Sequence, residues 1–434
     1  MTAQHLDSYD SGDFKVDRYT LDNGLTAIIW ADHRAPVLSY QTWFGVGSRH
    51  EQPKRTGMAH LFEHLMFKAT KNMAEGEFDR ILEAHGAQSN AATWVDWTYY
   101  RAKLPSRYLD LICRLEADRM ENMILNVDQL ESEREVVVNE RLLRVDNDPE
   151  GTLYEHLYKL AYGQHPYGWP TIGWMEDIRA IGLDDCLAFY NQFYAPSNAT
   201  VVLVGDVKAT EAIEQLQRCY GHLPKVDQPE EIPAPAPTMD GPKRQRFALP
   251  VSSERAIYAW HAVAIDDPDL PALEVLDEVL TGGESSRLYK RLVTDTELAT
   301  ECGGWVANWR YPGLYELTVT MRPGQSLEDA EKHLFEVLKG VCDAPVSERE
   351  LEKAKNGLEA HFLREMADTG SRAQSLGSAQ VTARDFRWMF THPAALREVK
   401  AVDVMRVATR LLTPERHVCV VGEPQPNSTS EGSS

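Results

Sequence analysis

His60-Leu61-Phe62-Glu63-His64 lies inside the apolar run from Met58 to Phe67 and sets two imidazoles and a carboxylate on one side of a helix. At 3.6 residues per turn, positions 60 and 64 stand one turn apart and position 63 lies beside them. Two neutral imidazoles at that spacing can share one Zn²⁺ ion, and an adjacent carboxylate can take a proton from water. The order His-x-x-Glu-His reverses the commoner His-Glu-x-x-His and keeps the same groups on one face. Two histidines turned into a core and bonded to backbone carbonyls would be the plainer explanation. The surrounding sequence argues against it.

A hydrolytic Zn²⁺ ordinarily takes three protein ligands and keeps one position open. Leu130 to Arg144 reads LESEREVVVNERLLR, a helical pattern that puts Glu133, Val137 and Glu140 on one stripe. Isolated glutamates on such a face are usually just solvated; their spacing from the histidines gives these two another meaning. Together the two segments resemble the M16 family of zinc metallopeptidases, subfamily B, which includes the mitochondrial processing peptidase. That family's pattern is His-x-x-Glu-His, then a glutamate ligand well downstream, with a further glutamate seven residues before it. The resemblance implies one Zn²⁺ per chain held by His60, His64 and Glu140. It makes Glu63 the general base and Glu133 the carboxylate that orients a ligand.

Asn90-Ala91-Ala92-Thr93, followed by Asp96-Trp97-Thr98-Tyr99-Tyr100, resembles the family's edge strand, to which a peptide substrate adds as an extra strand. Small Ala91 lets backbone approach backbone, and main-chain hydrogen bonds give affinity with little sequence demand. The resemblance thus implies substrate binding at Asn90 and Ala91. His165-Pro166-Tyr167-Gly168 and Phe193 to Asn198 are also family landmarks, and they read as structural.

With 434 residues the chain is long for one core and suggests two or more domains. A hydrophobic content of 43% with 26% charged residues is that of a globular protein, and no apolar run is long enough to span a bilayer. A net charge of −21 argues against a nucleic-acid partner and is compatible with cationic peptides. The N-terminal stretch has neither a basic region nor an apolar one, so it does not read as a signal peptide. A cytoplasmic location is the expectation, or a periplasmic one if a leader has been removed. The six cysteines are scattered without Cys-x-x-Cys spacing and read as buried thiols.

The prolines and acids between 223 and 242 read as a semi-rigid linker. Four segments follow: a zinc-bearing domain over 1–222, that linker, a second domain over 243–424 and a disordered tail over 425–434. The halves look like weak repeats, each with strands followed by a helix. Laying the helices together sets Glu274 and Glu278 against the two histidines, so the second half reads as a degenerate, non-catalytic copy. The expected fold is α+β: two homologous sheet-plus-helix domains forming half of a clamshell.

One departure matters. Many family members carry, after a Ser-Ser-Arg-Leu segment in the second half, an arginine and, seven residues on, a tyrosine that hold substrate in the facing site. Here Ser285-Ser286-Arg287-Leu288 is present, but the two positions are Val293 and Thr300. Arg291, Arg310 and Tyr311 are nearby substitutes. The simpler expectation is a heterodimer in which a homologous chain supplies the missing pair. Two alternatives stand beside it: a self-sufficient homodimeric peptidase and a non-catalytic assembly subunit of the respiratory-core type.

Overall fold

A computed structural model describes residues 3–229, 237, 239 and 241–425. Part of the expected linker (230–236, 238 and 240) and of the expected tail (426–434) lies outside them. The fold is α+β, with two sheet-plus-helix units.

The first unit holds a seven-stranded sheet. Its strands are β1 (Gln4–Asp10), β2 (Lys15–Thr20), β3 (Thr26–Ala31), β4 (Val37–Phe44), β5 (Gln88–Thr93), β6 (Thr98–Pro105) and β7 (Ala199–Gly205). Their order across the sheet is β1-β2-β3-β7-β4-β6-β5, with β3 and β7 parallel and the other neighbours antiparallel. Burial on both faces explains why β7 reads as one apolar run, Ala-Thr-Val-Val-Leu-Val-Gly. Polar β5, Gln-Ser-Asn-Ala-Ala-Thr, forms an edge. One face packs on the helix Met58–Leu65, with Leu61, Phe62 and Leu65 meeting Tyr40, Phe44 and Tyr100 in one core.

The second unit holds β8 (Lys243–Leu249), β9 (Arg255–His261), β10 (Ala299–Val306), β11 (Leu314–Met321) and β12 (Val418–Pro424), in the order β10-β11-β9-β12-β8. The helix Leu270–Thr281 follows β9 as Met58–Leu65 follows β4. All six cysteines are free thiols and five are buried.

The sequence placed each domain in one continuous stretch. By contacts, the first unit is built from Met1–Arg141, Trp169–Pro233 and Phe362–Thr391, and the second from Leu142–Gly168, Ala234–His361 and His392–Ser434. Expected domains 1–222 and 243–424 therefore trade segments. The reason is apolar coverage. The sheet face bearing Trp30, Trp43, Tyr99, Val202 and Val204 is covered by Ala373, Leu376, Ala379 and Phe386 from late in the chain. Gly377 is needed there, because a Cβ would lie 2.1 Å from Trp43 Nε1. Conversely, the helix Pro149–Tyr162 packs on β9 and β12 of the second unit.

Candidate metal centre

The helix Met58–Leu65 starts at Gly57, whose φ of +88° favours glycine. A Cβ there would also lie 2.6 Å from the Ile172 carbonyl oxygen. The buried Glu51 carboxylate accepts hydrogen bonds from the Gly57 and Ala59 amides, each 2.8 Å, and so satisfies donors that a helix start leaves open. Farther along, the Tyr100 hydroxyl donates to the Phe62 carbonyl at 3.0 Å. A helix of only eight residues is thus fixed at both ends.

His60 and His64 lie one turn apart on it, ring centroids 4.9 Å from each other. Glu140 comes from the helix Val127–Arg141, whose end is tied down by the Arg141 guanidinium donating to the Gly173 carbonyl at 2.7 Å. Glu140 Oε2 lies 3.5 Å from His60 Nε2 and 3.3 Å from His64 Nε2. One donor atom from each of the three residues falls within a 4.8 Å span, the only such group among the described residues. Their side chains are 12%, 21% and 24% exposed, shielded yet reachable. Two imidazoles and a carboxylate suit Zn²⁺, and the separations allow one ion to be shared.

Glu133, about two turns before Glu140, turns Oε2 toward His64 Nδ1 at 3.5 Å, and its other oxygen takes Lys68 Nζ at 2.5 Å. Burial works to lower the His64 pKa, but the Glu133 and Glu140 carboxylates outweigh it and push it up to about 9. Such a surplus of negative charge is what a divalent cation would neutralise. Burial raises the Glu63 carboxyl above the ordinary carboxylate range, partly offset by Thr93 and His64. A carboxyl whose charged form burial disfavours is suited to taking up a proton.

Thr93 ends β5, so the edge strand runs directly past Glu63. On that strand the Ala91 amide donates to Asn90 Oδ1 at 2.9 Å. The loop before the helix is joined to the turn that follows this end of the strand: the Ser48 and Arg49 amides donate to the Trp94 and Val95 carbonyls. Arg49 also pairs with buried Asp96 at 2.5 Å. Strand and metal helix are therefore held in one frame.

Residues 27–173 match the family model described as Insulinase (Peptidase family M16), and residues 180–358 match that of the Peptidase M16 inactive domain. The zinc protease PqqE of Helicobacter pylori is 30% identical over 429 residues, 97% of this chain and 95% of that protein. The chain belongs to the M16 peptidase family. The mitochondrial-processing peptidase subunit beta of Lentinula edodes is 25% identical over 405 residues, 91% of this chain and 86% of that one. Among solved structures, a protease from Helicobacter pylori superposes with a TM-score of 0.90 at 30% identity, covering 95% of this chain and all of that one. An M16 inactive domain from Pseudomonas fluorescens, at 20% identity and a TM-score of 0.84 over 95% and 98%, shares the fold.

In this M16 chain the second unit has, among the described residues, no counterpart to the cluster. Glu274 pairs with His392 at 2.5 Å and accepts from Asn308 at 3.0 Å. Asp277, in the place of Glu63, is buried among Thr281 and Tyr315, and burial pushes its pKa up to about 6. Val293 is buried, and Thr300 donates to the Thr320 carbonyl at 3.2 Å. Arg291 is held by His333 (2.8 Å) and Glu336 (3.1 Å), and the Tyr311 amide donates to the Tyr167 hydroxyl. Tyr167 is buried against Trp309, as a structural landmark should be. Sequence reading missed Lys68, which stands four residues after His64 but past the end of the helix at Leu65, where helical spacing no longer places it. It also missed Glu51, whose role depends on a turn that spacing alone does not reveal. Among the described residues no helix is long and apolar enough to cross a membrane.

Proposed function

We propose that this chain is a zinc-dependent endopeptidase acting on extended peptides. His60, His64 and Glu140 would hold the ion, Glu63 would act as base, and the chain would be the zinc-bearing subunit of a heterodimer. The observation that carries the reading is the 4.8 Å cluster with Glu63 on the same helix, facing an edge strand. Zn²⁺, when bound, supplies Lewis-acid polarisation and a more acidic water. Glu63 takes a proton and returns it to the leaving amine; burial keeps its carboxyl protonatable for the second step. Glu133 fixes the His64 ring through Nδ1 and leaves Nε2 directed at Glu140. Asn90 and Ala91 receive the substrate backbone as an added strand.

Support for a partner comes from the second unit: buried Val293 and short Thr300 offer no long donors, and Arg291 is held by His333 and Glu336. Loss of one donor to a developing oxyanion costs on the order of 10²–10³ in turnover. The test is peptide hydrolysis by the zinc-loaded chain, alone and with a homologous chain that carries the arginine and tyrosine. Activity only in the mixture supports the heterodimer. Full activity of the isolated chain rejects it in favour of a homodimer. Zinc without activity in any mixture points to an assembly subunit.

A further inference from the structure

A cavity of about 290 Å³ lies against the start of the metal helix, and none of the three candidate ligands lines it. Met58, the first residue of that helix, forms part of its wall. Met58 stands two residues before His60, about 200° around a helix, so the cavity and the imidazole take opposite sides. Phe189 and Phe193, from the helix Leu183–Phe193, give it an apolar surface, their ring centroids 4.9 Å apart. Phe193 also meets the His50 ring edge-on at 5.9 Å. A flat aromatic body suits such a wall, because rings favour offset or edge-on neighbours.

The polar lining offers one donor and no spare charge. Burial, helped by the Arg49 charge, pushes the His50 pKa down to about 3, so its ring is neutral and carries one proton. The Gly47 amide lies 3.0 Å from His50 Nδ1 and can only donate, which puts that proton on Nε2. The Gly47 carbonyl lies farther from the same nitrogen, at 3.3 Å. Among the described residues nothing accepts from Nε2, so this N–H is left for whatever fills the cavity. Three lining residues are of charged type. Arg55 is matched by Asp185 at 2.9 Å, and both Glu51 oxygens are taken, by the Gly57 and Ala59 amides. An ionised ligand would lose its water here and find no free counter-charge.

We propose that this cavity binds an uncharged aromatic molecule carrying a carbonyl oxygen, an aryl amide being the simplest. The ring lies on Phe189 and Phe193, and the oxygen accepts from His50 Nε2. Binding is coupled to the metal, because Glu51 and Met58 both line the cavity and form the start of the helix that carries His60. A ligand packed on them restrains that start and tightens zinc; by reciprocity, zinc tightens the ligand by the same factor. The coupling rests on the zinc reading above, whereas the binding site stands without it.

Benzamide, benzoate and benzamidine share one shape and are neutral, anionic and cationic in turn. Binding of each to the full chain is read by ligand-observed NMR titration. Benzamide should bind roughly five- to tenfold tighter than either, the worth of about one net hydrogen bond. Ala188, exposed on its helix, lines the cavity, so Ala188→Phe should fill it and abolish binding. His50→Phe should keep a ring and erase the preference. Unchanged thermal melting of both variants shows that the fold is intact. Equal binding of the three compounds, benzamide binding that survives Ala188→Phe, or no benzamide binding at all overturns the site. Zinc affinity, read by chelator competition, should rise about fivefold at saturating benzamide, the low end for such couplings. Zinc affinity that benzamide leaves unchanged overturns the coupling. If the chain holds no zinc, the zinc reading fails, and the preference for benzamide still decides the site.

Discussion

Lys68 Nζ lies 2.5 Å from one oxygen of Glu133, and the other oxygen of that carboxylate lies 3.5 Å from His64 Nδ1. The ammonium keeps Glu133 ionised: burial alone would raise its pKa, yet His64 and Lys68 bring it below the ordinary value. An ionised Glu133 in turn fixes which His64 nitrogen is left for an ion. Glu133→Gln should therefore weaken zinc binding about 10–100-fold, as measured by chelator competition. Lys68→Met should act in the same direction, and Lys68→Arg should restore most of the loss. Unchanged zinc affinity in Glu133→Gln would separate this residue from the site.

Glu63 and His64 are neighbours in sequence with different expected roles, and substitution should tell them apart. His64→Ala should lose stoichiometric zinc, read by elemental analysis after dialysis. Glu63→Gln should retain zinc while turnover falls by about 10²–10⁴. Full zinc in His64→Ala would refute the ligand set.

Ala91 offers its amide to the Asn90 side chain, which a peptide adding along β5 would have to displace. Ala91→Pro removes that donor. Peptide KM should rise roughly five- to tenfold, the worth of about one net hydrogen bond, with zinc content unchanged. Equal KM would mean that peptide does not add along this strand.

Stability should fall as pH rises, through two buried acids of the second unit. Burial pushes the Glu316 carboxyl up to about 7, only partly offset by the Tyr158 hydroxyl donating at 2.7 Å, and it pushes Asp277 up to about 6. Each binds a proton more tightly folded than unfolded, so stability is full below the unfolded carboxylate range. It is lost as pH climbs from there through about 6 to 7. Glu316→Gln should leave melting near pH 5 little changed. At pH 8 it should stabilise by an amount on the order of 3 kcal/mol at most. A melting temperature unchanged at pH 8 would show that Glu316 ionises without strain.

The sequence made the His-Leu-Phe-Glu-His helix and the Glu133–Glu140 stripe readable because helical periodicity is local and the residue types are chemically selective. The polar edge strand and the emptied second copy, with Glu274 and Glu278 in place of histidines, were legible for the same reason. Lys68 bridging to Glu133 and Glu75, or Glu51 reaching the helix start, depends on loop geometry that has no period. The exchange of segments was the least readable. Nothing in the composition of 142–168 or 362–391 says which of two apolar sheets each will cover; that is decided by the faces Trp43 and Val202 leave open on one side and β9 and β12 on the other.

That exchange has a consequence for biosynthesis. The unit carrying His60, His64 and Glu140 takes most of its residues from the first half of the chain but is completed only by Phe362–Thr391. As the ribosome works along the message, the half made first must wait, with Trp43, Tyr99 and Val204 bare, until the helix Thr369–Ser378 has emerged. A truncated product ending at the linker would carry the whole candidate metal site on an unfinished sheet. The candidate metal site is translated well before the segment that covers the other face of its sheet.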